Sequence, residues 1–184
     1  MTTPASGTLA LVVGGSGVGK DTLLRGARAA FAVDPRLVFP RRYITRPPDV
    51  TEDHFAVTPD QFSDLAAGGG LALSWSAHGL SYAIPATIDD DLAAGRVVVC
   101  NVSRNVVQTA RTTYRRTCVI EIQASVAVRA ERLAQRDREG GADIAARLER
   151  EVPQTYTPDH VVVNEGGVAA SVARFVEILR SLAT

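Results

Sequence analysis

The strongest chemical signal in the sequence is a run of glycines that ends in a lysine. Gly14 to Lys20 reads Gly-Gly-Ser-Gly-Val-Gly-Lys and fills the first seven positions of the P-loop pattern. Glycines at this spacing let successive backbone N–H groups turn toward a phosphate, and the lysine reaches the β- and γ-phosphates of a nucleotide. Lys20 is the single lysine of a chain whose other basic residues are all arginines. The alternative is a glycine-rich turn with a chance lysine. We predict an ATP-binding loop, formed by Gly14, Gly15, Ser16, Gly17, Val18, Gly19, Lys20, Asp21 and Thr22.

The eighth position of this loop departs from the pattern. A serine or threonine hydroxyl normally binds Mg²⁺ there, whereas this chain has Asp21 followed by Thr22. A carboxylate is a good magnesium ligand, and the later strand that usually supplies an acid near the metal is expected to end in Asn101. Our hypothesis is that the metal-binding carboxylate has moved from that strand to the loop, at Asp21. The alternative is that Asp21 only stabilises the first turn of the helix.

A second group of polar residues has the properties of a phosphate-acceptor site. Four polar residues, Arg41, Arg42, Thr45 and Arg46, lie within six positions before two prolines. On an extended strand Arg42 and Arg46 share one face, which suits bidentate binding of a phosphate. Further on, His78 and Tyr82 lie at a compact turn and can hydrogen-bond a small polar substrate. The alternatives are arginines that face solvent and a structural histidine.

A third group of arginines lies beyond the middle of the chain. Arg132 and Arg136 are four residues apart on one face of a predicted helix, with Arg138 in the following loop and Arg147 on the next helix. Such side chains can close over a phosphoryl group and stabilise its charge during transfer. Arg132 and Arg136 are therefore, with Lys20, the candidate catalytic residues. Interleaved acidic residues make a surface network of ion pairs the competing explanation.

The elements that position these residues alternate between strands and helices. Continuous apolar runs predict buried strands over residues 9–13, 96–101, 118–122 and 160–164. Helical periodicity predicts helices over residues 20–31, 106–112, 126–136, 144–151 and 168–182. The alternation is typical of an α/β fold with a parallel sheet flanked by helices.

The predicted domain organisation is one domain over residues 1–184. Residues 1–33 and 96–184 are expected to form the core. The proline- and glycine-rich segment 34–95 is expected to be an acceptor-binding insertion, and residues 132–147 a small lid.

The composition narrows the class of protein further. Twenty basic and 20 acidic residues give a net charge of zero, which argues against a general binder of nucleic acid or anionic membranes. No basic segment precedes the first apolar stretch, so we do not expect a signal peptide. We therefore expect a cytoplasmic protein. Cys100 and Cys118 each lie in an apolar run and are expected to be buried free thiols.

The whole layout resembles the guanylate kinase-like nucleoside monophosphate kinases, over nearly the entire chain. Within that superfamily it is most similar to the ribose 1,5-bisphosphate phosphokinases of bacterial phosphonate metabolism. The motifs that carry the resemblance are GGSGVGKDTLL, RRYITRP, HFAVT, WSAHGLSYAIP, NVSR and RLAQRDRE. The resemblance implies a P-loop kinase fold and transfer of the γ-phosphoryl group of Mg-ATP to α-D-ribose 1,5-bisphosphate. The products would be 5-phospho-α-D-ribose 1-diphosphate and ADP, and the expected partner is a small sugar phosphate substrate, with no nucleic acid or membrane.

The sequence departs from guanylate kinases where those enzymes recognise guanine. Ser74, Val99 and Asn101 stand at the positions of their base-reading acids, and Asp49 stands where they carry a second phosphate-binding arginine. Without those acids the donor groups of guanine would lack partners, whereas a sugar phosphate has no such donors. Two other functions remain open: a guanylate or other nucleoside monophosphate kinase, and a non-catalytic guanylate kinase-like interaction module.

Overall fold

The structure is a computed structural model that describes residues 7–47, 53–136 and 156–184. In chain order the elements are β1 (Thr8–Val13), α1 (Lys20–Ala30), β2 (Leu37–Val38), β3 (Arg42–Ile44), β4 (His54–Ala56), α2 (Pro59–Ala67), β5 (Leu71–Ala77), β6 (Leu80–Pro85), α3 (Ile88–Ala93), β7 (Val97–Asn101), a 3₁₀ turn (Arg104–Val106), α4 (Val107–Thr113), β8 (Thr117–Gln123), α5 (Val126–Arg136), β9 (His160–Val163) and α6 (Val168–Leu182).

A five-stranded parallel sheet forms the centre of the core, in the order β2-β7-β1-β8-β9. Every residue of β1 is buried, because this strand has a neighbour on each side and helices over both faces. Leu23 and Phe175 place α1 and α6 in the apolar cluster on one face. Ile88 and Val107 place α3 and α4 in the cluster on the other face. This arrangement confirms the predicted α/β sheet flanked by helices.

A second, four-stranded sheet in the order β4-β3-β6-β5 extends from the core. Strands β5 and β6 form a hairpin whose two turn residues, His78 and Gly79, have φ values of 54° and 71°. Positive φ at both central residues is the geometry that matches the twist of a two-residue hairpin. Helix α2 connects β4 to β5, and its Thr58 and Gln61 form a capping box.

The second sheet lies within the predicted insertion over residues 34–95, but both ends of that segment pack with the core. Leu37 is buried and pairs with Val97, so β2 is an edge strand of the five-stranded sheet. Helix α3 contributes Ile88 and Leu92 to the apolar cluster beneath β7. Because these apolar residues are buried against β7, both ends of the segment 34–95 belong to the core. The predicted helix over residues 144–151 and the lid beyond residue 136 lie outside the described residues.

Two further observations concern burial and membranes. Cys100 and Cys118 are buried free thiols, as predicted. Among the helices that the structure describes, none is both long and apolar enough to span a bilayer.

Candidate active site

The phosphate loop connects β1 to α1 at the carboxyl edge of the parallel sheet, where ligands bind in open α/β folds. Gly14 has a φ of 149°, and a Cβ atom there would lie 2.4 Å from the carbonyl oxygen of Ile122. Gly19 has a φ of 92°, and a Cβ atom there would lie 2.4 Å from Asn164 Nδ2. Both positions therefore require glycine. The loop that these glycines shape leads directly into the amino end of α1.

Lys20 lies inside this loop with its ammonium group turned back on the backbone. Its Nζ donates to the carbonyl oxygens of Gly14 at 2.8 Å and Gly15 at 3.2 Å. Desolvation of the ammonium lowers the pKa of Lys20 from 10.5 to about 8, helped by nearby guanidinium groups and opposed by Asp21. A multiply charged anion bound at this position would therefore strongly stabilise the protonated form of Lys20.

The candidate metal ligand Asp21 is held by a side chain at the end of a neighbouring strand. Asn101 Nδ2 donates to Asp21 Oδ1 at 3.1 Å, so the residue that replaces the usual strand acid positions the loop carboxylate. Asp21 lines the cleft beside the loop, whereas Thr22 is not among its lining residues. Within the described ranges no three His, Cys, Asp or Glu residues cluster. A single carboxylate fits Mg²⁺, which completes its shell with waters and substrate phosphates.

A cleft of about 550 Å³ brings most of the predicted site residues together. It lies between the phosphate loop and the second sheet. The predicted residues that line it are Gly14, Gly15, Ser16, Gly17, Gly19, Lys20, Asp21, Arg42, Arg46, His78 and Tyr82. Val18 is buried beneath the loop instead, and Thr22 is a partly buried residue of α1.

Arg42 is the side chain that links the two sheets at this cleft. Its Nη1 donates to the carbonyl oxygen of Asn101 at 3.0 Å. The guanidinium carbon lies 6.0 Å from the ring centroid of Trp75 and 5.7 Å from that of Tyr82. These two rings are stacked, with centroids 5.5 Å apart and planes within 5°. The hairpin thus supplies an aromatic platform that orients Arg42 toward the loop.

Of the arginines predicted to close over the site, the structure describes the side chain of Arg132 only. Arg132 Nη1 donates to the carbonyl oxygen of Val18 at 3.2 Å, and its Nη2 to that of Asn164 at 3.0 Å. In this conformation Arg132 braces the phosphate loop rather than facing the cleft. Arg136 is the last residue of α5, and the prediction for its side chain, like those for Arg138 and Arg147, lies outside the described residues.

Two further arginines beside the loop were not predicted. Arg129 Nε donates to the carbonyl oxygen of Ser16 at 3.0 Å. Arg104 Nε lies 3.7 Å from Glu121 Oε1, a carboxylate that is 3% exposed. The i, i+3 spacing of Arg129 and Arg132 on α5 was a usable signal. Arg104 had none, because only the packing of the 3₁₀ turn against β8 brings it to the loop.

Comparison with known proteins places this geometry in a family. No protein-family model matches the chain. Ribose 1,5-bisphosphate phosphokinase PhnN of Methylobacterium radiotolerans is 50% identical over 175 residues, which cover 95% of this chain and 98% of that protein. The protein of the same name from Acidiphilium cryptum is 52% identical over 177 residues, covering 96% and 94%.

A solved structure confirms the fold independently of these sequences. The guanylate kinase of Anaplasma phagocytophilum superposes with a TM-score of 0.67 at 20% identity, over 96% of this chain and 86% of that one. Identity at this level supports the fold alone. The curated relatives support more, since they are far more similar and match over nearly their whole length. The chain therefore belongs to the ribose 1,5-bisphosphate phosphokinase family and has the guanylate kinase fold.

Proposed function

We propose that this protein transfers the γ-phosphoryl group of ATP to the 1-phosphate of α-D-ribose 1,5-bisphosphate, giving 5-phospho-α-D-ribose 1-diphosphate and ADP. The observation that carries the proposal is the cleft that the loop residues Lys20 and Asp21 share with Arg42 of β3 and with Arg46, which follows β3. Membership of the family supports the same reaction. The metabolic role proposed with it is supply of this diphosphate in the cytoplasm, including during phosphonate breakdown.

The residues of the cleft suit a phosphate acceptor because such an acceptor needs no general base. A phosphate oxygen is already ionised near pH 7, so catalysis depends on in-line positioning and on neutralising charge. Lys20 and the loop amides would hold the β- and γ-phosphates, and Asp21 would hold Mg²⁺, which neutralises charge on the phosphates. Arg42 and Arg46 would bind the acceptor, with His78 and Tyr82 contacting the sugar.

The predicted lid residues have separate parts in this proposal. Arg132 would keep the loop in shape through its contacts with Val18 and Asn164. Arg136 remains the candidate for closing over the transferred group, on the basis of its spacing from Arg132.

The three positions that match the base-reading acids of guanylate kinases are poorly suited to guanine. Val99 is an apolar residue with 2% exposure, and the amide nitrogen of Asn101 is engaged by Asp21. Ser74 is a short hydroxyl side chain on β5. None of the three offers the carboxylate that the N1–H and amino groups of guanine would need, which is a costly loss for a buried base.

The experiment that tests the proposal measures ADP release from Mg-ATP with ribose 1,5-bisphosphate and with GMP as parallel acceptors. We expect turnover with the sugar bisphosphate, little or none with GMP, and formation of the diphosphate in equal amount to ADP. Turnover with GMP alone would make the protein a divergent guanylate kinase and would refute the interpretation of Ser74, Val99 and Asn101. Failure to bind ATP at all would favour a non-catalytic role.

A further inference from the structure

A second cavity adjoins the cleft on the far side of Arg42. It has a volume of about 280 Å³ and lies between α1, the segment at Phe39 and Pro40, and the carboxyl end of β7. Asp21, Arg42 and Asn101 line both the cleft and this cavity. The two spaces therefore meet at the residues proposed to hold the metal and the acceptor. A ligand held in the cleft by Arg42 therefore lies next to this cavity.

The walls of this cavity are rich in arginine. Arg25 and Arg28 line it from α1, where their i, i+3 spacing places them on one face of the helix, and Arg42 lines it from β3. Arg28 Nη2 donates to the carbonyl oxygen of Phe39 at 3.3 Å, which aims the guanidinium along the cavity wall. Phe39 itself contributes an apolar surface. Such a combination suits an anionic group attached to a short carbon skeleton.

Two acidic residues line the cavity: Asp21, which accepts a hydrogen bond from Asn101, and Asp53, which is already neutralised by two cations. Asp53 lies 3.3 Å from Arg28 Nη1 and 2.7 Å from Arg41 Nε. The Asp53 side chain is 59% exposed and that of Arg28 is 40% exposed, so this ion pair is held in water and contributes little energy. A phosphate dianion entering the cavity can therefore replace Asp53 as the partner of Arg28 at small cost, while Arg41 continues to neutralise Asp53.

We propose that this cavity binds the 5-phosphate of the acceptor, with Arg28 as its principal ligand and Arg25 and Arg42 as the flanking cations. The inference rests on the proposed function, because it concerns the second phosphate of that same substrate. The phosphate that accepts the γ-phosphoryl group must lie in the cleft beside the loop. The other phosphate is then one pentose away, and the arginine-lined cavity adjoins the cleft at the shared residue Arg42.

The test compares two acceptors that differ only in the second phosphate, ribose 1,5-bisphosphate and ribose 1-phosphate, in the wild type and in Arg28→Gln. We expect the wild type to prefer the bisphosphate. We expect Arg28→Gln to lower kcat/KM for the bisphosphate by about 10- to 100-fold, the usual effect of losing a charge-assisted pair. With ribose 1-phosphate, and for the KM of ATP, the variant should differ from the wild type by less than about twofold. Arg28→Lys keeps the charge and should recover much of the loss.

The control is Arg96→Gln. Arg96 is also a partly exposed arginine in an ion pair, 2.7 Å from Asp91, but it precedes β7 and so lies at the opposite edge of the sheet. We expect it to behave as the wild type with both acceptors. Equal losses with both acceptors in Arg28→Gln, no loss with either, or a wild type that does not distinguish them would each overturn the inference.

A binding measurement separates failure of this inference from failure of the proposed function. Ribose 5-phosphate, titrated calorimetrically, should bind the wild type and Arg96→Gln but bind Arg28→Gln at least about tenfold more weakly. If the wild type turns over neither acceptor, the proposed reaction is refuted and this titration alone decides the cavity. Equal binding by all three proteins would refute the phosphate site even if the enzyme is active.

Discussion

Burial of the ammonium group is the main reason why the pKa of Lys20 is lowered, and the nearby guanidinium groups of Arg42, Arg104 and Arg129 lower it further. Asp21 is the one neighbour among these that raises the pKa. A bound triphosphate would offset both the burial of the ammonium group and its repulsion by the guanidinium groups, so it should favour the protonated lysine. Binding of an anionic ligand should therefore change the protonation of Lys20 in addition to making direct contacts with the loop.

The first prediction concerns this protonation. In the free protein the pKa of Lys20 is about 8, and a bound polyphosphate should raise it toward the ordinary value for lysine, 10.5. Binding of ADP or ATP should therefore take up about half a proton at pH 8, more as the pH rises toward 9, and little at pH 6.5. Calorimetry in buffers of different ionisation enthalpy measures this uptake. The buried thiols do not interfere, because burial raises the pKa of Cys100 to about 12 and that of Cys118 to about 11.

The sign of the pH effect on activity follows from the same shift. Lysine binds phosphate in its protonated form, so kcat/KM for ATP should fall as the pH rises through about 8. Arg104→Gln removes one of the groups that lower the pKa, so the variant should move this alkaline limb to higher pH. If kcat/KM for ATP in both proteins began to fall only near the pKa of an ordinary lysine, the prediction would be contradicted.

The second prediction concerns the carboxylate of Asp21. Asp21→Asn keeps the size of the side chain but removes the charge, so the Mg²⁺ concentration for half-maximal activity should rise by at least about tenfold. Thr22→Val is the matched control at the neighbouring position, and since Thr22 does not line the cleft, its magnesium dependence should match that of the wild type. An Asp21→Ser enzyme with full activity and unchanged magnesium dependence would show that the carboxylate is only structural.

At the scale of the secondary-structure elements, the β5–β6 hairpin determines the geometry of the acceptor side. Its tight turn sets the register that places Trp75 opposite Tyr82. That pairing stacks the two rings on which Arg42 rests. The turn residue His78 and the strand residue Tyr82 also line the cleft. Distortion of the turn should therefore affect acceptor binding more than nucleotide binding.

The third prediction tests the hairpin turn with Gly79→Ala. Gly79 has a φ of 71°, and no atom lies within 4 Å of a Cβ placed there, so the cost is that of the backbone conformation alone. The free energy of unfolding should fall by about 1–2 kcal/mol, and the melting temperature by about 2–8 °C. The KM for the sugar bisphosphate should rise while that for ATP stays nearly constant. Gly166→Ala is the control, because its Cβ would also meet nothing and its φ is ordinary. Equal effects of the two substitutions would contradict the prediction.

The elements differ in how far the sequence could predict them. Strands β1 and β7 were predictable because each is an apolar run that the core buries from both faces. Strand β8 was predictable in the same way although it contains Glu121. Strand β9 also forms where it was predicted, but it is an edge strand with Val161 and Val163 exposed, so the expectation that it is buried was wrong. Strand β2 was not, because Leu37–Val38 is too short to have a period and is a strand only through its pairing with β7.

The candidate site shows the same division between local and long-range information. The loop from Gly14 to Lys20 was predictable because its function depends on adjacent residues. Arg104 was not, since it reaches the loop only when the turn after β7 packs against Glu121. The arginine-lined cavity at Arg28 required both sheets to be in place, because its walls come from α1, β3 and the end of β7.

At the scale of the whole molecule, charge is balanced overall but concentrated locally. The chain carries 20 basic and 20 acidic residues, so its net charge of zero gives no long-range attraction for an anionic substrate. The cleft nevertheless combines Lys20, Arg42 and Arg46 around a single carboxylate, Asp21. The attraction for a bisphosphate must therefore come from local groups such as these and act over a short range.

This local concentration leads to the last prediction, on the dependence of activity on salt. The Debye length is about 10 Å at 0.1 M salt, so kcat/KM for ribose 1,5-bisphosphate should fall as ionic strength rises. Arg46→Gln should lower kcat/KM by about tenfold at low salt and make its salt dependence less steep. Arg174→Gln removes an exposed arginine that pairs with Glu177 at 2.6 Å on α6, and should change neither quantity. The contrary result is that Arg174→Gln flattens the salt dependence as much as Arg46→Gln does. That result would show that the whole protein surface, and not the cleft, attracts the bisphosphate.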